Sequence, residues 1–145
     1  MYRLLELLKS VTGYDIDTDT CIVDKPIATD GEYNTVVNIC GRLQTGTYGQ
    51  RDFLYNRMLL DNKPIQDIVD KDYKTVLDLL PIINRDPIFT YAINLSNEVL
   101  RRQAILLRED VIDDKLEDIR DGDILNIQAN PDSYLFCGNL KVRLV

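Results

Sequence analysis

Twice along this chain a short apolar stretch centred on Asn-Ile is followed by turn-forming residues, a glycine and a second alternating segment. "TVVNICG" (Thr35 to Gly41) leads to Gly49, Phe53 and Tyr55, and "DILNIQA" (Asp123 to Ala129) leads to Gly138, Leu140, Val142 and Leu144. Alternation places every second side chain on one face, so each stretch predicts an antiparallel strand pair with one buried side. A chain that writes a hairpin twice must use its remaining elements to cover those faces.

Helices with suitable spacing precede each hairpin. Leu4, Leu7, Leu8 and Val11 give one apolar stripe to a helix from about Tyr2 to Val11, which Thr12-Gly13 would end. Val76, Leu79, Leu80 and Ile83 repeat the spacing, with Thr75 and Asp78 as a starting cap. Pro81 removes one hydrogen bond from this second helix and should kink it.

Between helix and hairpin lies a third shared element, "IVD" (Ile22 to Asp24) in one half and "VID" (Val111 to Asp113) in the other. Ile22 and Val111 are 89 positions apart, Ile39 and Ile127 are 88, and Gly49 and Gly138 are 89. Shared order at nearly constant separation points to an internal duplication.

The helices stand only 72 positions apart, so the second half has about 17 additional residues before "VID". These fall in "DPIFTYAINLSNEVLRRQAILLRE" (Asp86 to Glu109), which reads as a β-like start followed by a helix after Ser96. The expected fold is therefore α+β: two related modules, each a short helix plus a small antiparallel β-hairpin or sheet, packed together. The first spans residues 1–62 and the second 72–145, with an insertion around 86–109. The polar connection "LDNKPIQDIVDKDYK" (Leu60 to Lys74), punctuated by Pro64, is the boundary between them.

At 145 residues, 45% apolar and 28% charged, the chain is long enough for one ordinary domain or two very small ones, and too apolar for a disordered one. Its net charge of −7 works against recognition of nucleic acid through phosphates. No apolar run is long enough to span a bilayer, and the start "MYRLLELLKSV" lacks the form of a signal peptide, so synthesis in a cytosol is expected. Cys21, Cys40 and Cys137 are few and far apart, which indicates reduced thiols. With no histidine in the chain, the usual zinc spacings cannot be built.

One stretch has the outline of a phosphate-binding loop, Gly41-x₄-Gly46-Thr47. A working loop needs lysine after its second glycine and must open a helix. Here Thr47 and Tyr48 follow, then a strand-like segment, and the second copy places "NPDSYLF" (Asn130 to Phe136) in the same slot without those glycines. The reading is a hairpin turn.

"DIDTDT" (Asp15 to Thr20) opens like a calcium loop but has Thr20 at the sixth position and Pro26 at the twelfth. An acidic loop after a helix is expected, with weak cation binding at residues 15–19 as the alternative. Without histidine, Ser–His and Cys–His nucleophiles are excluded. No catalytic, cofactor-binding or metal residue is nominated, and no cofactor is expected. An enzyme would have to use a carboxylate pair among 24 acidic residues. Tyr48, Tyr55, Tyr91 and Tyr134, in or beside the β segments, suit either an interaction surface or half-buried strands.

The ordered set "LLELLKSVTGYDIDTDTCIVDKPI", "YNTVVNICG" and "YGQRDFLYNRMLL" resembles a module of small virion structural proteins from large contractile-tailed bacteriophages. "KTVLDLLPIIN" through "VIDD" to "ILNIQANPDSYLFCGNLKVRLV" is similar to the companion module of such proteins. Pro81 and the insertion depart from that pattern. The resemblance implies a non-enzymatic structural subunit of a virion, in the tail, neck or baseplate, assembled in the host cytoplasm. Its partners would be other virion proteins and further copies of itself in a symmetric assembly, with no nucleic acid, membrane or small-molecule substrate. The alternative is a small cytosolic adaptor or regulatory protein that binds a phage or host partner.

Overall fold

The computed structural model describes residues 4, 5, 8, 19, 21–44, 47–69, 72–85, 90–95, 98–103 and 105–145. The fold is mixed α+β, with small sheets and little helix. The chain divides into two compact units, one formed by Met1–Arg57 with Tyr91–Arg102 and the other by Met58–Thr90 with Gln103–Val145.

In the first unit, β1 (Ile22–Val23) and β2 (Ile27–Ala28) both pair antiparallel with one edge of β3 (Thr35–Gln44). The other edge of β3 pairs antiparallel with β4 (Thr47–Tyr55) in the register Val37↔Phe53 and Ile39↔Arg51. The alternation works as expected: Val37, Ile39, Phe53 and Tyr55 are buried, while Asn38 and Asp52 face outward and are hydrogen-bonded through their side chains at 2.8 Å. Of the expected helix from Tyr2 to Val11, Leu4, Leu5 and Leu8 are helical and fully buried. Its other residues and the Thr12-Gly13 stop lie outside the described residues.

Gly41 is not in the turn. It sits inside β3 directly opposite Gly49, with φ 148°, a backbone conformation that favours glycine. The connection falls after Gln44, and the register shifts between Arg42 and Gln44, a bulge that bends the hairpin end. The expected turn falls at residues 45–46, which lie outside the described residues.

The second unit is built around β11 (Asn139–Leu144). It pairs antiparallel with β9 (Ile124–Gln128) and, on its other edge, parallel with β6 (Gln66–Ile68). Leu140, Val142 and Leu144 alternate inward with Ile127 and Ile68, all at 1% exposure or less. Each such side chain contributes about 1.5–3 kcal/mol of burial. Helix α1 (Val76–Ile83) buries Val76, Leu79, Leu80 and Ile83, the four positions expected from their spacing. The Asp78 carboxylate starts it by accepting the N–H groups of Lys74 (2.8 Å) and Thr75 (3.0 Å). Pro81 lies within the helix on its exposed side, and the helix ends two residues later.

Two elements depart from the sequence reading. After β7 (Thr90–Leu95) the expected helix beyond Ser96 is instead strand β8 (Glu98–Gln103), paired with β7. Only two residues separate them, which permits an antiparallel hairpin and nothing else. Helix-favouring Glu, Leu, Arg and Gln are overridden by that pairing. The stretch Leu60 to Lys74 also carries structure, since it supplies β6 and the buried Leu60. Just before it, β5 (Met58–Leu59) pairs parallel with β10 (Phe136–Cys137).

Candidate functional site

At the phosphate-loop outline, Thr47 and Tyr48 are strand residues of β4, and no helix begins there. The Gly41–Gly49 pairing makes this stretch the end of a hairpin, and Gly46 itself lies outside the described residues. Of the acidic loop only Asp19 is described, in an exposed turn, and Asp15 and Asp17 lie outside. Among the described residues, no three Cys, Asp or Glu side chains cluster as metal ligands would. Cys21, Cys40 and Cys137 are not joined in disulfides. No described helix is long and apolar enough to cross a membrane. Tyr55 is fully buried and Tyr134 half-buried. Tyr48 and Tyr91 lie in strands.

Two buried polar clusters could be mistaken for chemistry. In the first unit Arg57 donates Nε–H to the Thr35 hydroxyl (2.9 Å), which in turn donates to Asn34 Oδ1 (2.7 Å). The Asn34 side chain also accepts the Arg57 N–H (2.8 Å) and donates to the Arg57 carbonyl (2.9 Å). In the second unit the Ser133 hydroxyl donates to the buried Asp110 carboxylate (2.8 Å), which also accepts the Leu107 N–H (2.9 Å). Each member is met by a partner from its own unit, so both clusters act as fasteners between chain segments distant in sequence.

The surface with open valence lies along β9. Ala129 donates to Gly138 (2.9 Å), and this fixes which residues of β9 point at β11: Ile127 and Leu125 do, while Ile124, Asn126 and Gln128 turn their backbone groups outward. The Gln128 carbonyl accepts the Ile112 N–H (3.0 Å), beside a bridge between Val111 and Ala129. Beyond that point the chain leaves β9. It runs instead beside the start of α1, with Val76 donating to Asp114 and Leu116 to Lys74, both at 2.9 Å. Among the described residues, the outward N–H and C=O of Ile124 and Asn126 have no partner.

In the space between the departing segment and β9 lies a cavity of about 350 Å³. Val76, Leu116, Ile119, Leu125 and Ile127 give it apolar walls, and Asp114, Lys115 and Glu117 line it as well. An unpaired strand edge beside a recess lined by both apolar and polar side chains can take up a further strand: backbone bonds hold it and the recess receives alternate side chains. Spacing could not reveal this site, because it depends on where residues 113–119 part from β9.

Over residues 4–145 the chain matches a family described as "Family of unknown function (DUF7941)". No curated protein matches it. No solved structure matches it either.

Proposed function

From a chain that belongs to that family, we propose a non-enzymatic structural subunit of a bacteriophage virion, tail-associated, which works by packing against neighbouring proteins. The observation that carries this reading is the open edge of β9 beside a recess of mixed polar and apolar lining, a surface whose chemistry suits strand pairing. The sequence resemblance to virion proteins of contractile-tailed phages supplies the setting. In an assembly of many copies, modest contacts per subunit add up to firm attachment.

Duplication is part of this proposal. In each unit a short segment, "IVD" or "VID", pairs antiparallel with the first strand of a hairpin, whose second strand flanks it on the other side. The same strand order, reached at a separation of 88 or 89 residues, supports two related modules.

The experiment is a quantitative protein inventory of purified particles of the phage that encodes the chain. A fixed copy number per particle, matching a ring or multiple of the tail symmetry, is the expected result. Absence from particles would refute the proposal and favour the second reading, a cytosolic adaptor binding a phage or host partner.

A further inference from the structure

We propose that the open edge of β9 is the receptor for an extended, basic strand contributed by a partner protein, filling the place that the first unit fills with its own β2. The inference rests on the interaction reading above and names the partner's chemistry.

The two hairpins differ at one edge. Counted from the shared Asn-Ile pair, Val36 stands two residues before Asn38 as Ile124 stands two before Asn126. In the first unit both positions are occupied: Val36 pairs with Ile27 of β2, and the Asn38 carbonyl accepts the Asp24 N–H (3.0 Å). In the second unit, among the described residues, this edge is met only at Gln128 and at Ala129 just beyond β9, by Ile112 and Val111. Leu116 and Glu117, at the separation of 89 from Ile27 and Ala28, line the cavity instead of pairing with Ile124. The element that closes the first edge is thus withheld from the second, and a recess occupies its place.

What the recess accepts follows from its lining. The outward N–H and C=O of Ile124 and Asn126 require an extended backbone, because only that presents donors and acceptors at matching intervals. Apolar walls at Leu116, Ile119 and Leu125 receive every second side chain of such a strand. The segment running beside the recess carries Asp113, Asp114, Glu117 and Asp118, with Asp121 and Asp123 following, against Lys115 and Arg120 alone. All eight are exposed. The surplus of carboxylates selects basic residues at the remaining positions of the strand, and it opposes a second copy of this chain, whose net charge is −7. Its path is set by backbone bonds to Lys74 and Val76 and by a left-handed turn at Asp118 (φ 55°) and Gly122 (φ 89°).

The test uses the full chain, isotope-labelled, with a capped alternating Lys-Val peptide of about eight residues, a common strand length. Amide exchange and chemical-shift perturbation are read residue by residue. The proposal expects protection of the Ile124 and Asn126 amides, with shifts confined to residues 112–128. Neither an alternating Glu-Val peptide nor a Lys-Val peptide N-methylated at alternate residues should give that protection. Reversing charge at the cavity (Asp114→Lys with Glu117→Lys) should weaken the Lys-Val peptide about tenfold while leaving the remaining spectrum unchanged.

Equal binding of the N-methylated peptide would reduce the interaction to charge and overturn the proposal. So would silence at Ile124 and Asn126, preference for the Glu-Val peptide, or peptide-free protection that grows with protein concentration, which would mean self-pairing. Particles lacking the chain would end the virion reading and leave these amide measurements standing, so the two failures are distinguishable.

Discussion

Arg57 and Thr35 are 22 residues apart in sequence and joined by a buried hydrogen bond of 2.9 Å from guanidinium Nε to hydroxyl. They tie the first residue of β3 to the second residue after β4, so the strand pair is locked at its open end by side chains. Asn34 and Asn56 complete the lock, with the Asn34 N–H donating to Asn56 Oδ1 at 2.9 Å.

Thr35→Val should therefore leave a buried guanidinium donor without its acceptor and destabilise the first unit by about 1–3 kcal/mol. Arg57→Lys should cost a similar amount, because an ammonium cannot place a donor where the planar guanidinium does. Urea unfolding of the two single variants and the double variant checks this. A double variant scarcely worse than either single one is expected, since both remove the same bond.

Gly138 is a position where a side chain would meet both backbone strain and a close neighbour. Its φ is 82°, and a Cβ there would overlap the Asp61 carboxylate and press on the Leu59 side chain. That carboxylate accepts the Asn139 N–H at 2.6 Å, so it has little room to retreat. Gly138→Ala should destabilise by about 2 kcal/mol or more. Gly49 has open space around its Cβ position, and Gly49→Ala should change stability by less than about 1 kcal/mol. Thermal unfolding of both variants separates these roles.

Asp110 and Ser133 hold the loop after β9 to the turn before "VID". Asp110 is 1% exposed and Ser133 3%. Besides its bond to Asp110, the Ser133 oxygen accepts the Phe136 N–H at 3.2 Å. Ser133→Ala should cost about 1–3 kcal/mol, and Asp110→Ala should cost more, because it strands two donors at once. Hydrogen exchange is the local readout, faster at Phe136 in Ser133→Ala and faster at Leu107 in Asp110→Ala.

The start of α1 should respond to acid. Accepting the Lys74 N–H, and then that of Thr75, holds the Asp78 carboxyl below its ordinary value of 3.8. A folded value below the unfolded one means that this stabilisation is present at neutral pH and lost as pH falls through the folded value. A carboxyl-carbon titration should place the Asp78 midpoint below 3.8. Opening of the Lys74 and Thr75 amides should rise over the same range, and Asp78→Ala should abolish that pH dependence.

Much of the strand content was legible because alternation is a local property. Leu140, Val142 and Leu144 announce a buried face whichever strands lie beside them, and Thr75 with Asp78 marks a helix start within four residues. The β8 segment misled because Glu98, Leu100, Arg101 and Gln103 favour a helix, and only pairing with β7 makes them a strand. Strands β5 and β6 left no signal: two or three residues carry no period, and their parallel partners lie more than 70 positions away. Asn56-Arg57 could be quoted as a strand ending, yet its bond to Asn34-Thr35 is a long-range fact that no spacing reveals. The candidate site was hidden for the same reason, because an edge is open only relative to a segment that turns away from it.

The central claim, that this chain serves by being built into a particle, is tested most directly by a density map of the intact virion in which every tail-associated chain is traced. The account predicts this polypeptide in symmetric copies, touching neighbours through its own surfaces. A complete tracing of the tail, neck and baseplate with no place for it would contradict the claim.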